Sequence, residues 1–286
     1  MSDPPREIRR PILIVGSPRS GTTMLGKLLS QHPDIAYWEE PRPIWSQGNA
    51  WRDDDRLVAS DLTPAIAKRI DRRFSRFLAD SGRVRFAEKT PSNTLRLPFL
   101  HALYPDARIV HLVRDGRAVV ASMRRMLEKP PDRGRVLARL RETPWRDLPA
   151  LAPLVVRDVL RPRFSGEKQK SWWGPRPPEW REWLDLPTPI KLARQWRTLV
   201  TTAREDLRSH FPREQWIEVR YEDFVRSPEE WLRAIGKTLE LPVEESLLEQ
   251  ALAEIRPTSL DAWKSEFSRE VIDQIESEIG GDGEAH

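Results

Sequence analysis

Gly16-Ser17-Pro18-Arg19-Ser20-Gly21-Thr22-Thr23 is the stretch on which the fold of this chain turns. The apolar run Ile12–Val15 lies directly ahead of it, and behind it Met24, Leu25, Leu28 and Leu29 recur at helical spacing. A short apolar strand, a glycine-bounded loop and a helix form a unit that turns backbone N–H groups toward an anion. The spacing is the G-x-x-x-x-G of a nucleotide phosphate loop, yet the lysine that follows in a Walker loop is replaced by Thr22-Thr23. That lysine is what reaches β- and γ-phosphates; here Arg19 sits inside the loop instead. The stretch therefore predicts an anion cradle rather than an ATP or GTP hydrolase. The plainer reading, a turn closing a strand–helix unit, leaves the agreement of strand, loop and helix signals unexplained.

Working outward, strand-like runs at 35–38, 84–87, 109–113 and 216–219 alternate with helical patterns. This alternation predicts an α/β fold: a P-loop-like central parallel sheet of four to five strands flanked by helices. One helix is expected over about 22–31 and another over 116–127, with Val119, Met123 and Met126 or Leu127 inward. Thr63-Pro64 reads as an N-cap followed by proline at the first helical position, with Ile66, Ile70, Phe74 and Phe77 on one face. Leu192, Trp196, Leu199, Ala203 and Leu207 mark a long amphipathic helix ended by Pro212. Ser227-Pro228-Glu229-Glu230 has the form of a capping box, with Trp231 and Ile235 on the buried side.

Residues 127–189 hold 11 of the 26 prolines and 5 of the 12 tryptophans. Proline removes a backbone donor and fixes φ, so long regular elements are not expected there. We read 1–286 as a single domain with a Pro/Trp-rich insertion at about 127–189 over the sheet edge where substrates enter. Trp172, Trp173, Trp180 and Trp183 either wall an acceptor pocket or pack the insertion onto the domain.

The 286 residues suffice for a large core, and no run approaches the ~18–20 apolar residues that span a bilayer. Residues 1–10 are polar and lack the apolar core of a secretory leader. With no cysteine in the chain, the expectation is a cytoplasmic protein without disulfides. Net charge is +4, and arginine outnumbers lysine 39 to 9; arginine suits planar, bidentate recognition of phosphate- or sulfate-like groups. Seven basic and two acidic residues crowd 124–141, whereas the chain from Glu270 onward has six acids and neither Lys nor Arg. No DNA- or RNA-binding motif accompanies these charges, so nucleic acid is not an expected partner. The five histidines are scattered, and no metal-ligand cluster is expected.

A second anion site is legible in Val113-Arg114-Asp115-Gly116-Arg117-Ala118-Val119-Val120-Ala121-Ser122. Arg114 ends an apolar strand, Gly116 allows a tight turn, and Ser122 lies about two turns into the next helix. An arginine at the carboxyl end of a parallel strand, with a hydroxyl on the following helix, grips one phosphate from two sides where open α/β sheets bind ligands. The alternative is a surface Arg–Asp pair before an ordinary helix.

A phosphate loop without its lysine, joined to such an Arg/Ser pair, resembles the sulfotransferases that use 3′-phosphoadenosine 5′-phosphosulfate (PAPS). In that family the first loop holds the 5′-phosphosulfate and the second site the 3′-phosphate, which ATP lacks. The resemblance assigns Arg19, Ser20, Gly21, Thr22 and Thr23 to the former and Arg114 and Ser122 to the latter. Trp38-Glu39-Glu40-Pro41-Arg42 is similar to the Glu-Glu-Thr-Arg stretch of protein-tyrosine sulfotransferases, with Pro41 in place of Thr. The second Glu of that stretch is the general base, which maps to Glu40. Glu39 is the alternative, since neighbours on a strand face opposite ways and only one is expected to face the site. Arg42 then falls on the acceptor side, with Trp172 and Trp173.

The lysine of Glu88-Lys89-Thr90-Pro91 corresponds to the family's catalytic lysine, and Tyr221 in Val219-Arg220-Tyr221-Glu222-Asp223 to a tyrosine near the nucleotide. The match covers 12–126 and about 190–240. The insertion is foreign to the tyrosine enzymes, although its Trp-Gly-Pro-Arg-Pro-Pro run resembles related bacterial sulfotransferases. Small-molecule sulfotransferases carry a histidine base in a Lys-Thr-His pattern; Lys89-Thr90-Pro91 excludes it here. Their Arg-Lys-Gly motif is also missing, and Arg256 of Ile255-Arg256-Pro257 is the candidate to close over the nucleotide in its place.

The resemblance implies in-line transfer of a sulfuryl group from PAPS to an acceptor hydroxyl, or an amine. Glu40 takes the proton, while Lys89 and the loop stabilise charge on the bridging oxygen. No metal is required. The acceptor class stays open among peptide tyrosine, glycan and small hydroxyl compounds, as does homodimerisation. A kinase-like P-loop enzyme and a non-catalytic anion- or glycan-binding protein are the rival readings.

Overall fold

The computed structural model describes residues 7–128, 172–245, 248–249, 253, 255 and 260–280. Five strands form one sheet: β1 (Ile12–Val15), β2 (Ile35–Glu39), β3 (Arg85–Lys89), β4 (Arg108–Val113) and β5 (Trp216–Arg220). Their spatial order is β2-β3-β1-β4-β5, and every pairing is parallel.

β1 is central and all four of its residues are fully buried. Leu13 and Val15 pack on α3 (Pro64–Asp80), α4 (Leu97–Leu103) and Ala203 and Leu207 of α6 (Thr188–His210). Ile12 and Ile14 face α1 (Thr22–Leu29) and α8 (Pro228–Leu239) on the opposite side. A strand covered on both faces needs an unbroken apolar run rather than alternation, which is why Ile-Leu-Ile-Val lies at the centre.

Parallel pairing carries the carboxyl end of each strand to one edge of the sheet. From β1 the chain runs toward β2 on one side, then returns through β3 to β4 on the other. The crevice outside β1 is thus the topological switch point where such sheets take ligands. The segments that emerge there are Gly16 to Thr23, the turn into α2 (Arg42–Trp45), the 3₁₀ turn Pro91–Leu95 after β3, and the link from β4 into α5 (Gly116–Glu128).

The five expected strands are all present, with bounds shifted by a residue or two. Val84 falls outside β3 and is 63% exposed, while Glu88 and Lys89 join the ladder opposite Trp38 and Glu39. Apolar content locates a strand, but pairing with its neighbour sets where it ends. The Thr63 hydroxyl accepts from the Ile66 N–H at 3.3 Å, as its N-cap position implies. Phe74 is buried and Phe77 stacks on Trp38 with centroids 4.4 Å apart.

The capping box at Ser227 does not form. Ser227 precedes α8, but its side chain makes no capping hydrogen bond. Its N–H instead closes α7 (Tyr221–Arg226) by donating to the Asp223 carbonyl at 2.9 Å. Two helices meeting at one residue leave no room for the extended backbone that a capping box needs.

Gly16 is required for a close approach. A Cβ on it would sit 2.4 Å from the Leu112 carbonyl oxygen, a backbone atom of the neighbouring strand. Gly16→Ala is expected to cost about 1–3 kcal/mol by overpacking. Urea unfolding checks this, with a lower midpoint at unchanged slope.

Candidate anion-binding and catalytic site

The loop after β1 is held in shape by its own backbone. Arg19 lies at φ 71° and Gly21 at φ 94°, and the Ser20 N–H donates to the Ser17 carbonyl at 3.2 Å. Ser20 is fully buried, and its hydroxyl bonds the same carbonyl. Gly21 is the N-cap of α1, whose first turn has no acidic residue and no capping side chain. The positive end of the helix therefore faces the crevice with its N–H groups uncovered by side chains.

Tyr221 packs on this loop. A Cβ at Gly21 would lie 2.6 Å from its ring, and the Arg114 guanidinium stacks 4.5 Å above that ring. Arg114 Nη1 donates to the Arg19 carbonyl at 3.2 Å, while Arg19 Nε donates to Ser122 Oγ at 3.0 Å. The Trp196 indole holds the Arg114 carbonyl at 3.1 Å. Arg19, Arg114, Ser122 and Tyr221 thus line one cleft of about 330 Å³, with Arg125 and Trp263 across it. Arg114 Nε is buried in this cleft without a hydrogen-bond partner.

The expected role of Gly116 is corrected. It is the first residue of α5 and does not take a positive φ. A Cβ there would meet Ile279 Cδ1 at 2.6 Å and the Trp196 ring at 3.0 Å. The glycine lets α5 approach α6 and α9 (Arg269–Ile279), and it makes no special turn. Asp115 caps α5, accepting from the N–H of Arg117 at 2.8 Å, and pairs with the Arg117 side chain at 2.6 Å.

The second half of the site lies between β2 and β3. Glu39 ends β2, and Glu40 takes a left-handed backbone at φ 52°. The Glu40 N–H donates to the Lys89 carbonyl at 2.9 Å. Lys89 Nζ then meets Glu40 Oε1 at 2.7 Å and Glu39 Oε1 at 3.5 Å. The expectation that only one of the two glutamates can face the site is wrong. Strand alternation stops at Glu39, and the left-handed turn swings Glu40 back toward the same lysine. Thr23 Oγ1 donates to Glu39 at 3.3 Å, and Arg42 pairs with Glu40 Oε2 at 2.7 Å. A polar chain therefore runs from the first turn of α1 through Lys89 to Arg42. The Lys89 side chain is 2% exposed, that of Glu40 14% and that of Glu39 41%.

Behind Lys89 stands a residue whose role no local sequence pattern reveals. Glu88 is completely buried. Its carboxylate accepts from Asn93 Nδ2 at 2.8 Å, Thr90 Oγ1 at 2.7 Å and Trp45 Nε1 at 3.1 Å. Burial pushes its pKa up to about 7, against the pull of those three donors and Lys89. The available signal was a carboxylate inside an otherwise buried strand, where an acid is rare unless partnered.

The end of the insertion borders the phosphate loop. Gly174, at φ 89°, would place a Cβ 3.4 Å from Pro18, and Gln195 Nε2 holds the Trp173 and Pro175 carbonyls at 3.0 and 2.8 Å. The Trp172 indole donates to the Pro175 carbonyl at 3.1 Å, and its ring lies 5.4 Å from Trp180 and 6.0 Å from Trp183. Trp180 and Trp183 are buried and pack the segment down; Trp172 and Trp173 keep partly open faces. Arg256, and most of the basic stretch 124–141, lie outside the described residues. Among the described residues no helix is long and apolar enough to cross a membrane, and no three His, Cys, Asp or Glu side chains group as metal ligands.

Comparison with known proteins agrees with this geometry. Nodulation protein NoeE of Sinorhizobium fredii is 36% identical over 126 residues, covering 39% of this chain and 30% of that protein. The protein-tyrosine sulfotransferase of Drosophila melanogaster is 23% identical over 273 residues, 91% of this chain and 44% of its own length. The chain thus spans less than half the length of these curated relatives. Among solved structures, the sulfotransferase domain from the curacin biosynthetic pathway shares the fold at a TM-score of 0.56 and 16% identity, over 96% of this chain and 98% of that domain. A model of the sulfotransferase family matches residues 11–142 and 150–245, which takes in the phosphate loop, the Glu39–Glu40–Lys89 cluster and the Arg114–Ser122 cleft together, and the chain belongs to that family.

Proposed function

We propose that this chain transfers a sulfuryl group from PAPS in line to an acceptor hydroxyl, with Glu40 as general base. The observation that carries the proposal is the polar chain Thr23–Glu39–Lys89–Glu40, which joins the anion loop to a carboxylate in hydrogen-bond contact with a buried lysine.

The residues fit the donor. The N-terminus of α1 and the Arg19–Thr23 loop suit the 5′-phosphosulfate. Arg114, whose Nε is buried and unpartnered, and Ser122 suit the 3′-phosphate, with Tyr221 beside them and Arg256 assigned to close over the nucleotide. The donor supplies an activated sulfuryl group on its 5′-phosphate. Lys89 is placed to stabilise the negative charge that grows on the leaving oxygen. Glu40, oriented by Arg42 at 2.7 Å, takes the acceptor proton. Arg42, Trp172 and Trp173 border the acceptor. Relatives named protein-tyrosine sulfotransferase favour a phenolic hydroxyl on a peptide, with glycans and small hydroxyl compounds as the other candidates.

Calorimetry with adenosine 3′,5′-bisphosphate, 5′-AMP and ATP tests the donor. The bisphosphate is expected to bind tightest. Arg114→Ala is expected to weaken it about 10–100-fold, the worth of a charged hydrogen bond, and to leave 5′-AMP nearly unchanged. A preference for ATP overturns the reading.

A further inference from the structure

Glu88 lies at the junction of the two segments that carry the catalytic pair. Thr90 and Asn93, which donate to it, follow Lys89 in the chain. Trp45, its third donor, closes the short helix that starts at Arg42, two residues after Glu40. One carboxylate is therefore bonded from both sides of the Lys89–Glu40 contact.

Two partners give this cluster an unusual property. The Trp45 indole can only donate, so Glu88 Oε2 accepts whatever its charge. Asn93 offers Nδ2 to Glu88 Oε1 at 2.8 Å, while Asn93 Oδ1 is buried without a partner. Rotating that amide by half a turn exchanges the two atoms. A proton on Oε1 then finds Asn93 Oδ1 as its acceptor. The ionised carboxylate is satisfied with Asn93 donating and the neutral acid with Asn93 accepting; the bonds from Trp45 and Thr90 persist in both. The titratable groups around it are Lys89 on its own strand and, from β2, Tyr37 with Glu39 and Glu40 beyond it.

We infer that Glu88 is a positioning residue, a buried tie that holds Lys89 and Glu40 in register and keeps both segments bonded through a change in its own charge. The activity readout rests on the sulfotransferase reading; the stability readout does not.

Three variants and three readouts test it. Turnover is followed as formation of adenosine 3′,5′-bisphosphate from PAPS with water as the acceptor: the sulfur–oxygen bond to the 5′-phosphate breaks, and water gives its oxygen to sulfur and its proton to base. Glu88→Ala cuts both ties and is expected to lower kcat at least about tenfold, the scale of a small misplacement. The affinity for adenosine 3′,5′-bisphosphate stays within about twofold, since the 3′ cleft stands on β4 and α5. Glu88→Gln keeps an acceptor for Trp45 and Thr90 and a donor for Asn93 Oδ1. It recovers most of that loss and flattens any step in the kcat profile near neutral pH. Trp45→Phe removes only the α2 arm and falls between the two.

The thermal midpoint reads the charge change without chemistry. A carboxyl raised from 4.5 to about 7 on folding binds more protons folded than unfolded in that window. Wild-type stability then declines as pH rises from about 4.5 to 7 and is flat above. Glu88→Gln lacks that decline, so its midpoint relative to wild type is higher at pH 8 than at pH 5. A folded Glu88→Ala with wild-type kcat overturns the tie. A midpoint difference independent of pH overturns the two-state cluster. Loss of bisphosphate binding in the wild type itself strikes the sulfotransferase reading and leaves the stability arm standing.

Discussion

Glu40→Gln is expected to lower turnover about 10²–10⁴-fold, the usual contribution of a positioned general base, with the affinity for adenosine 3′,5′-bisphosphate unchanged. The substitution keeps size and shape but replaces a basic carboxylate oxygen with a weakly basic amide, which can accept a hydrogen bond but cannot take the acceptor's proton. Lys89 retains Glu39 at 3.5 Å, so the site stays assembled. The cleft lined by Arg114 and Ser122, proposed to hold the 3′-phosphate, stands on β4 and α5 and is not expected to be disturbed. Steady-state kinetics with PAPS and a tyrosine-containing peptide checks this, the loss appearing in kcat. The matching variant Glu39→Gln is expected to cost far less, because that side chain is 41% exposed and reaches Lys89 at only 3.5 Å. A larger loss at Glu39 than at Glu40 moves the base to Glu39.

Lys89→Ala is expected to lower kcat about 10²–10³-fold, the cost of removing one preorganised stabiliser of developing charge. The Lys89 side chain is 2% exposed and its ammonium lies 2.7 Å from Glu40. In so dry a setting it counts for more toward a growing negative charge than a solvated lysine does. The effect is specific to the transition state, so affinity for adenosine 3′,5′-bisphosphate, which has no sulfuryl group, changes by less than about threefold. Glu40 keeps Arg42 at 2.7 Å as its counter-charge, which limits the stability loss and keeps the variant measurable. If kcat survives in Lys89→Ala, the lysine is a structural counter-ion to the two glutamates and the leaving-group assignment fails.

How much of this site is legible without coordinates depends on the range of the interactions involved. The loop from Gly16 to Thr23, the strand–helix alternation and the end of β4 at Arg114 are local patterns, set within a few residues by apolar periodicity and turn chemistry. They were readable to within a residue or two. Local pattern suggests a tight turn at Gly116, whereas its true constraint is Ile279 and Trp196 pressing on α5; no local rule contains a contact with α9. The Ser227 motif had the right letters, but the preceding helix used its backbone first. Glu88 carries no local signature because its partners are donors on a separate helix and on the following turn.

By itself the sequence determined a parallel α/β sheet with a phosphate loop after its first strand and an arginine at the end of its fourth. Backbone propensity and hydrophobic periodicity act over the distance of one element, so a single chain segment carries the whole signal. Only the tertiary structure decided that Glu39 and Glu40 share one lysine and that Glu88 is bonded both from the turn after Lys89 and from the helix after Glu40. Lys89 and Glu40 stand 49 residues apart. What unites them is the register of β2 on β3 and one left-handed turn, terms in the energy that exist only after distant strands have paired.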